Sequence, residues 1–237
     1  MRFLVTRPLA EAGHTAAALA ARGHQALIAP MLAIESASGV AFDPESFDAI
    51  VMTSGNAARA LTEHPALGRS LTLPVLAVGG QTAHAARDAG FSDVVSAEGD
   101  AADLLTLVRG RFGAGGRLLY LAGNDRSRDL AAELAADRIH VETAVVYRAN
   151  AASRLPEDAE QAIRDGRVDG VLHYSRRSTA IFLDCAEAGG LGAHVQALSH
   201  YCLSRRAAEP LSAKGFKDIR IAPRPDEAAL LDLIAPG

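Results

Sequence analysis

Cysteine is scarce in this chain of 237 residues, which contains only Cys185 and Cys202. The two lie in apolar helix-like and strand-like surroundings and have no C-x-x-C spacing, so we expect buried free thiols rather than a disulfide or a metal site. The eight histidines form neither an H-x-x-x-H nor an H-E-x-x-H pattern. The sequence therefore predicts no metal centre.

Long apolar runs and an excess of basic charge are also missing. No run approaches the roughly 18 apolar residues of a membrane span, and the N-terminus has only Phe3, Leu4 and Val5 where a signal peptide has a longer apolar core. The formal net charge of −4 argues against non-specific nucleic-acid binding. We therefore expect a cytoplasmic protein that binds neither membranes nor nucleic acid.

Short apolar runs alternate with helical patterns along most of the chain. Examples are Ala49 to Thr53 followed by a helix from Gly55, and Arg117 to Leu121 followed by a helix from about Arg126 to Ala136. A long strand is predicted from His140 to Ala149, and a linker-like stretch follows it. This alternation is typical of βαβ units and predicts an α/β fold with parallel sheets.

The chain also contains an internal repeat. In the segments Asp48 to Leu61 and Asp169 to Leu183, an acidic residue precedes an apolar run, a serine follows the run, and a helical pattern begins. Other matches recur in the same order at offsets that grow from 115 to 126 residues. This order predicts two copies of one unit, Arg2 to Val108 and Arg117 to Ile234, and hence two similar lobes with a cleft between them.

Polar residues stand where the predicted strands end. The carboxyl ends of parallel strands are where α/β proteins bind ligands, and helix N-termini, hydroxyl groups and guanidinium groups bind carboxylates and phosphates. Serine, threonine and asparagine at these positions are also favoured helix N-caps, and each arginine alone could be solvated surface. The candidate ligand-binding residues are Arg7, Thr53, Ser54, Thr82, Gly123, Asn124, Ser175, Arg176, Arg177 and Ser204.

Catalytic patterns are nearly absent from these strand ends. There is no G-x-S-x-G elbow, and the full dinucleotide and P-loop patterns are missing. Tyr147, late in the long predicted strand, is the one phenol placed where the cleft should open. A tyrosine that simply belongs to the core is an equally good interpretation of its position.

Together these features resemble the uroporphyrinogen-III synthase family over nearly the whole chain. The resemblance depends on the order of several short motifs, each weak alone. They are V-T-R-P at Val5 to Pro8, T-S-x-N-A at Thr53 to Ala57, V-G-x-x-T-A at Val78 to Ala83, G-N at Gly123 and Asn124, and E-x-x-x-V-Y-R at Glu142 to Arg148.

The resemblance implies two flavodoxin-like lobes with parallel sheets, joined by a two-stranded linker. One lobe would be discontinuous in sequence. The implied bounds are 1–32 with 150–237 for the first lobe, 38–144 for the second, and 33–37 and 145–149 for the linkers.

The resemblance also implies a function. The family closes hydroxymethylbilane, a linear tetrapyrrole with eight carboxylates, into uroporphyrinogen III with loss of water and inversion of the terminal ring, and needs no cofactor. Tyr147 matches the family's tyrosine, which has been given the role of assisting departure of the hydroxyl. A monomer and a transient contact with the preceding deaminase are further expectations.

This chain departs from the family pattern in its second copy. Ser204 and Ala207 stand where many family members carry glycine and threonine, and the turn from Ser175 to Ser178 is more basic than usual. Two rival hypotheses remain: a non-catalytic two-lobed binding or sensor protein for a polyanionic small molecule, and a synthase-like domain that has lost activity.

Overall fold

The computed structural model divides the chain into two compact units. Unit 1 comprises residues 1–33 and 150–237, and unit 2 comprises residues 34–149. Residue 38, where the second predicted lobe begins, and residues 235–237, at the end of the first, lie outside the described residues. The structure describes residues 1–37, 39–113, 115–126 and 128–234.

Unit 1 is built on a five-stranded sheet in which neighbouring strands pair in parallel. The strands follow the spatial order β11-β10-β9-β1-β2. Its members are β1 (Arg2–Val5), β2 (Gln25–Ile28), β9 (Gly170–His173), β10 (Ser199–Cys202) and β11 (Ile219–Ile221). The helices of unit 1 are α1 (Leu9–Ala20), α7 (Glu157–Arg164), α8 (Arg176–Ala188), α9 (Gly192–Gln196), α10 (Arg205–Ala213) and α11 (Glu227–Leu231).

A second sheet has six strands in the order β3-β8-β7-β4-β5-β6, and β4 to β8 pair in parallel. Its strands are β3 (Leu32–Ser36), β4 (Ala49–Met52), β5 (Val75–Ala77), β6 (Val94–Ser96), β7 (Gly116–Gly123) and β8 (Ile139–Ala151). The helices of unit 2 are α2 (Gly55–Leu61), α3 (Leu67–Ser70), α4 (Gly80–Asp88), α5 (Ala101–Phe112) and α6 (Leu130–Leu134). The predicted α/β class with parallel sheets is confirmed.

The sequence repeat is present in the pairing of the strands. The repeat matches β1, β2, β4, β5 and β6 with β7, β8, β9, β10 and β11, in that sequence. With this matching, the order β6-β5-β4-β7-β8 in one sheet is the same as the order β11-β10-β9-β1-β2 in the other. The registers match as well: Phe3 pairs with Gly170, and its repeat partner Leu118 pairs with Ala49, the partner of Gly170. Each of these five-strand arrangements therefore combines two strands from one copy of the repeat with three from the other, and β3 is an additional strand of the second sheet.

The aspartates that open the repeated segments have the same local role in both units. Asp48 accepts a hydrogen bond from the backbone N–H of Arg117 at 2.8 Å, and Asp169 accepts one from Arg2 at 2.6 Å. Arg2 and Arg117 are themselves repeat partners at the starts of β1 and β7. The repeated aspartate thus satisfies the first N–H of the neighbouring strand, which explains its presence in both copies.

Several helices differ from the expectation; the short helices α3 and α9 were not predicted, and α6 and α7 differ as follows. The helix predicted from about Arg126 begins only at Leu130, because Asp129 has an extended backbone and its side chain caps the helix by accepting from the N–H of Ala132. The helix α7 lies in a region for which no helix was predicted. It buries only Ala159, Ala162 and Ile163, a narrow apolar stripe in a short segment.

The two cysteines are free and buried, as predicted. Cys185 and Cys202 both belong to the hydrophobic core of unit 1. Burial raises the pKa of the Cys202 thiol to about 12 and also raises that of Cys185. Both thiols therefore remain protonated at neutral pH and are poor nucleophiles.

One feature of the unit 1 core is polar. His173 and His200 are fully buried, and their rings meet with 3.0 Å between Nε2 of His173 and Nδ1 of His200. Because Nε2 of His200 donates to the carbonyl of Val195, its Nδ1 accepts from His173, and Nδ1 of His173 is left without a hydrogen-bond partner. Burial holds the pKa of His173 well below 6.5 and lowers that of His200.

The buried histidines predict that unit 1 loses stability in acid. A histidine whose pKa is lowered by folding is neutral in both states above about pH 6.5, but below it the unfolded chain takes up a proton that the folded chain does not. We expect the free energy of unfolding to fall by up to about 1.4 kcal/mol per pH unit for each such histidine. Urea unfolding between pH 5 and 8 measures this slope.

The repeat supplies the matched variant for this measurement. Met52 and Val75 occupy the equivalent positions in unit 2, so His173→Met combined with His200→Val copies a pair that the chain already uses. The double variant should flatten the acid slope, whereas replacing the exposed His14 by Gln should leave it unchanged. An unchanged slope in the double variant would contradict this interpretation.

Candidate functional site

The carboxyl edge of the unit 2 sheet presents hydroxyl groups where β4 ends. Ser54 is the N-cap of α2, and its side chain accepts from the N–H of Asn56 at 3.2 Å. The preceding Thr53 shares a hydrogen bond of 2.9 Å with the hydroxyl of Tyr120 on the neighbouring β7. From β4 the chain continues to β5 and β6 on one side, and from β7 it continues to β8 on the other. Such a reversal of strand order is the position where open α/β sheets bind ligands.

Tyr147 reaches the same edge from β8. Its phenol shares a hydrogen bond with the side chain of Ser54, and the side chain is partly buried. Burial raises the pKa of Tyr147 above its usual 10, and the hydrogen bond to Ser54 and the charge of Arg59 oppose this only in part. The phenol therefore keeps its proton throughout the physiological pH range.

An irregularity in the pairing of β7 and β8 directs the side chain of Tyr147 toward Ser54 at the carboxyl edge. Ala122 pairs with Val145, but the next residue, Gly123, pairs with Tyr147, so one residue of β8 is skipped. Such a bulge turns the side chains beyond it. Here it lays the ring of Tyr147 against the backbone of Gly123.

Glycine is required at 123 by this contact. A Cβ atom there would lie 2.6 Å from Cζ and 2.9 Å from the hydroxyl oxygen of Tyr147. Asn124 then ties the strand ends together, because its N–H donates to the carbonyl of Tyr147 at 3.1 Å and its side-chain oxygen accepts from the N–H of Ala149 at 3.1 Å. Gly123 and Asn124 thus have structural tasks beside any role toward a ligand.

A basic side chain lies just behind the Ser54 turn. Arg59 donates to the side-chain oxygen of Asn56 at 2.7 Å and lies close enough to Tyr147 to lower the pKa of its phenol. Thr82, one turn into α4, is 6% exposed, so its hydroxyl faces mainly protein. Of the candidate residues in unit 2, the structure brings Thr53, Ser54, Gly123 and Asn124 to Tyr147.

The carboxyl edge of the unit 1 sheet is more basic. Ser175 is the N-cap of α8; its side chain accepts from the N–H of Ser178 at 3.1 Å and also bonds the Ser178 hydroxyl. Arg176 and Arg177 follow it and are exposed, and Arg176 forms an ion pair of 3.2 Å with Glu209. These side chains extend into solvent next to the N-terminus of an α-helix, an arrangement that attracts anions.

Ser204 has the equivalent position at the end of β10. It caps α10 by accepting from the N–H of Ala207 at 3.2 Å. An open groove of about 420 Å³ adjoins it. The groove is lined by Leu203, Ser204, Arg205, Ile221, Ala222, Pro223 and Pro225.

Arg7 is placed differently from the other candidates. It is 8% exposed, and its guanidinium pairs with Glu11 at 3.1 Å and Glu227 at 2.9 Å while lying 4.3 Å over the ring of Tyr174. These groups already occupy most of its hydrogen-bonding capacity. Direct binding of a ligand by Arg7 stays a prediction.

Sequence reasoning missed Tyr120, Tyr174 and Glu227. Tyr120 could have been found from the repeat, because its repeat partner is the apolar Val5. A buried strand does not require a phenol hydroxyl at that position, so the tyrosine indicates another role. Glu227 meets Arg7 across 220 residues of chain, and no local pattern signals that contact.

The described residues contain neither a metal-binding cluster nor a membrane-spanning helix. Within these parts of the chain, no group of three or more His, Cys, Asp or Glu side chains could hold a metal ion. Among the described helices, none is both long and apolar enough to cross a bilayer.

The structure is thus that of an α/β protein with two largely parallel sheets, each of which has capped helix N-termini and polar side chains at its carboxyl edge. The family model described as uroporphyrinogen-III synthase HemD matches residues 13–232. The chain belongs to this family, whose members are enzymes of tetrapyrrole biosynthesis.

Solved structures of the family share the fold. The uroporphyrinogen-III synthetase of Helicobacter pylori 26695 is 19% identical, with 98% of each chain covered and a TM-score of 0.65. A mutant uroporphyrinogen III synthase from the extremely thermophilic bacterium Thermus thermophilus is 20% identical, with 98% of this chain and 96% of that chain covered and a TM-score of 0.56. No curated protein matches the chain.

The contact between Gly123 and Tyr147 gives a prediction for Gly123→Ala. The added methyl must push the ring of Tyr147 out of its place, which should cost about 1 to 3 kcal/mol of stability, as overpacking does. The displaced phenol should titrate closer to pH 10, since it is less buried. Carbon-13 NMR of labelled tyrosine, of which the chain has four, measures this titration.

Gly110→Ala is the matched control, because a Cβ atom there meets nothing within 4 Å. It lies in α5, where alanine should stabilise the helix by about 0.5 to 1 kcal/mol. It should leave the Tyr147 titration unchanged. An unaltered Tyr147 titration in Gly123→Ala would show that the ring does not depend on this glycine.

Proposed function

We propose that the protein is a uroporphyrinogen-III synthase that closes hydroxymethylbilane into uroporphyrinogen III, with loss of water and inversion of the terminal pyrrole ring. The observation that carries the proposal is the family match over residues 13–232, joined to a partly buried, protonated phenol at the carboxyl edge of a parallel sheet. The match favours a synthase over the alternative of a non-catalytic binding or sensor protein.

The donor groups at both carboxyl edges suit this substrate. Hydroxymethylbilane has eight carboxylates, and a flexible polyanion is bound well by many modest sites. A helix N-terminus contributes about 0.3 to 1 kcal/mol and a hydrogen bond to a charged group about 1.5 to 3 kcal/mol. The turns at Ser54, Ser175 and Ser204 each offer backbone N–H groups, and the arginines after Ser175 and Ser204 add positive charge.

Tyr147 is the group proposed to touch the reacting atoms. Its phenol would donate its proton to the hydroxyl of the hydroxymethyl group while the carbon–oxygen bond breaks and electrons from the pyrrole nitrogen form the azafulvene. The hydroxyl leaves as water. The raised pKa of Tyr147 keeps the proton in place until the leaving group draws it away.

The remaining chemistry needs position more than acid or base strength. The substituted end carbon of the terminal ring attacks the azafulvene carbon and a spiro intermediate forms. The original bond from that end carbon to its bridging carbon then breaks, and the other end carbon of the same ring bonds to the freed bridging carbon, which inverts the ring. Held in one geometry, the two ends of the substrate react as an intramolecular pair, which favours this path over direct closure. Fixing the carboxylates is therefore the main task of the protein.

The proposal includes the setting of the enzyme. Hydroxymethylbilane is the partner, the deaminase that makes it would meet the protein only transiently, and the protein would act as a cytoplasmic monomer. These points rest on the family alone. The choice of substrate has a second support, because the polar and basic groups at the strand ends also predict a small polyanion.

The product isomer tests the proposal. Purified protein is mixed with freshly prepared hydroxymethylbilane, and the porphyrins are separated after oxidation. We expect the type III isomer in excess, since uncatalysed closure gives type I. Type I alone, at the rate of the reaction without protein, would show that the chain is not a synthase.

Tyr147→Phe tests the role of the phenol in the same assay. The variant keeps the ring against Gly123 but cannot donate a proton, so kcat should fall by roughly 10² to 10⁴, the usual contribution of one general acid. Type III should remain the main enzymatic product because the folding of the substrate is retained. A wild-type kcat would remove Tyr147 from the mechanism.

A further inference from the structure

Unit 1 contains a partly buried ionic cluster at its carboxyl edge that the described residues of unit 2 do not repeat. We call it the Glu227 cluster, and its members are Arg7, Glu11, Thr15, Tyr174 and Glu227. At the equivalent positions unit 2 has Ala101 in place of Glu227 and Thr53 in place of Tyr174. Both Glu227 and Ala101 open a helix just after a capping aspartate. Because unit 2 reaches the same fold without the cluster, the fold alone does not require it.

Glu227 is the centre of the cluster. Its Oε1 atom accepts from the guanidinium of Arg7 at 2.9 Å, from the hydroxyl of Tyr174 at 3.2 Å, and from the hydroxyl of Thr15. Bringing a carboxylate and a guanidinium out of water is costly. The chain has Glu227 in unit 1 and Ala101 at the equivalent position in unit 2. This difference indicates that Glu227 has a function at the carboxyl edge of unit 1.

The cluster clamps the side chain of Tyr174 on two sides. The hydroxyl is held by Glu227 and lies 3.3 Å from Oγ1 of Thr15, while Arg7 covers the ring face at 4.3 Å. Burial raises the pKa of Tyr174 well above 10, so the hydroxyl remains a hydrogen-bond donor. Tyr174 is therefore fixed as a neutral residue.

Tyr174 directly precedes Ser175, the N-cap of α8. Unit 2 fixes the corresponding residue too, but by other means, since Thr53 before the cap Ser54 bonds to Tyr120. In each unit the residue before the capping serine is thus held by its side-chain hydroxyl, which bonds to strand β7 in unit 2 and to helices α1 and α11 in unit 1. The common feature of the two edges is an anchored turn.

We infer that Glu227 is a positioning residue that acts through Tyr174 to fix the turn at Ser175, and with it the carboxylate-binding groups that follow. This inference rests on the proposed function and names a residue at the far end of the chain that tunes the same site. Glu227 does not itself contact the substrate. Its loss weakens binding of the substrate without removing the chemistry.

Steady-state kinetics on hydroxymethylbilane test the inference with Glu227→Ala. The KM should rise roughly tenfold, the size expected when one charge-assisted hydrogen bond no longer fixes the turn, while kcat changes less than about twofold. A merely structural role would instead lower the folded fraction and hence the apparent kcat at constant KM. Thermal unfolding of each variant measures that fraction separately.

Two further variants separate Tyr174 from the other contacts. Glu227→Gln retains an acceptor oxygen for Tyr174 and should have a KM closer to wild type than Glu227→Ala. Tyr174→Phe removes only the hydroxyl and should raise KM in the same direction. The double variant of Tyr174→Phe and Glu227→Ala should be no worse than Glu227→Ala alone, because both act through one contact.

Asp232→Ala is the matched control. Asp232 follows the same helix α11 and pairs with Arg22, which follows α1, at 2.7 Å, so it also joins these two segments, but it is exposed. Its loss should leave KM unchanged. A wild-type KM in Glu227→Ala, or additive effects in the double variant, would overturn the inference. If wild-type protein makes only the type I isomer, the proposed function fails instead.

Discussion

Parallel pairing of the strands is the constraint on which the rest of the structure depends. It brings the carboxyl ends of β1, β9, β10 and β11 to one edge of the unit 1 sheet and those of β4, β5 and β7 to one edge of the unit 2 sheet. Every helix that follows such a strand therefore begins at that edge with free N–H groups. A single geometric rule thus places a helix N-terminus at the same edge several times, and the side chains beside each one differ.

The two edges are differentiated by substitutions within one inherited plan. Unit 2 has two phenols at this edge, since Tyr120 bonds to Thr53 and Tyr147 bonds to Ser54. Unit 1 has arginines after its capping serines and the Glu227 cluster behind them. Under the proposed function, we interpret unit 2 as the source of the acid group and unit 1 as the more basic contributor to carboxylate binding. The substrate needs both, because it loses water and has many carboxylates.

Much of the fold could be predicted from the sequence because its signals are local. Apolar runs predicted the strands, and the repeat predicted the equivalence that the strand registers show. The details of the site were not local. The skipped residue in β8 that aims Tyr147 at Gly123 has no sequence signal, and Arg7 meets Glu227 across 220 residues. Arg7 is basic at a strand end, which favoured a ligand role, but it lies buried between two carboxylates.

The claim that the carboxyl edges bind the tetrapyrrole is tested most directly by backbone amide NMR. Uroporphyrinogen III, added under anaerobic conditions, should shift the N–H signals at the turns that begin with Ser54, Ser175 and Ser204 far more than those at the opposite ends of the strands, near Asp48 and Asp169. Shifts concentrated at those opposite ends, or on the outer faces of the helices, would contradict the account.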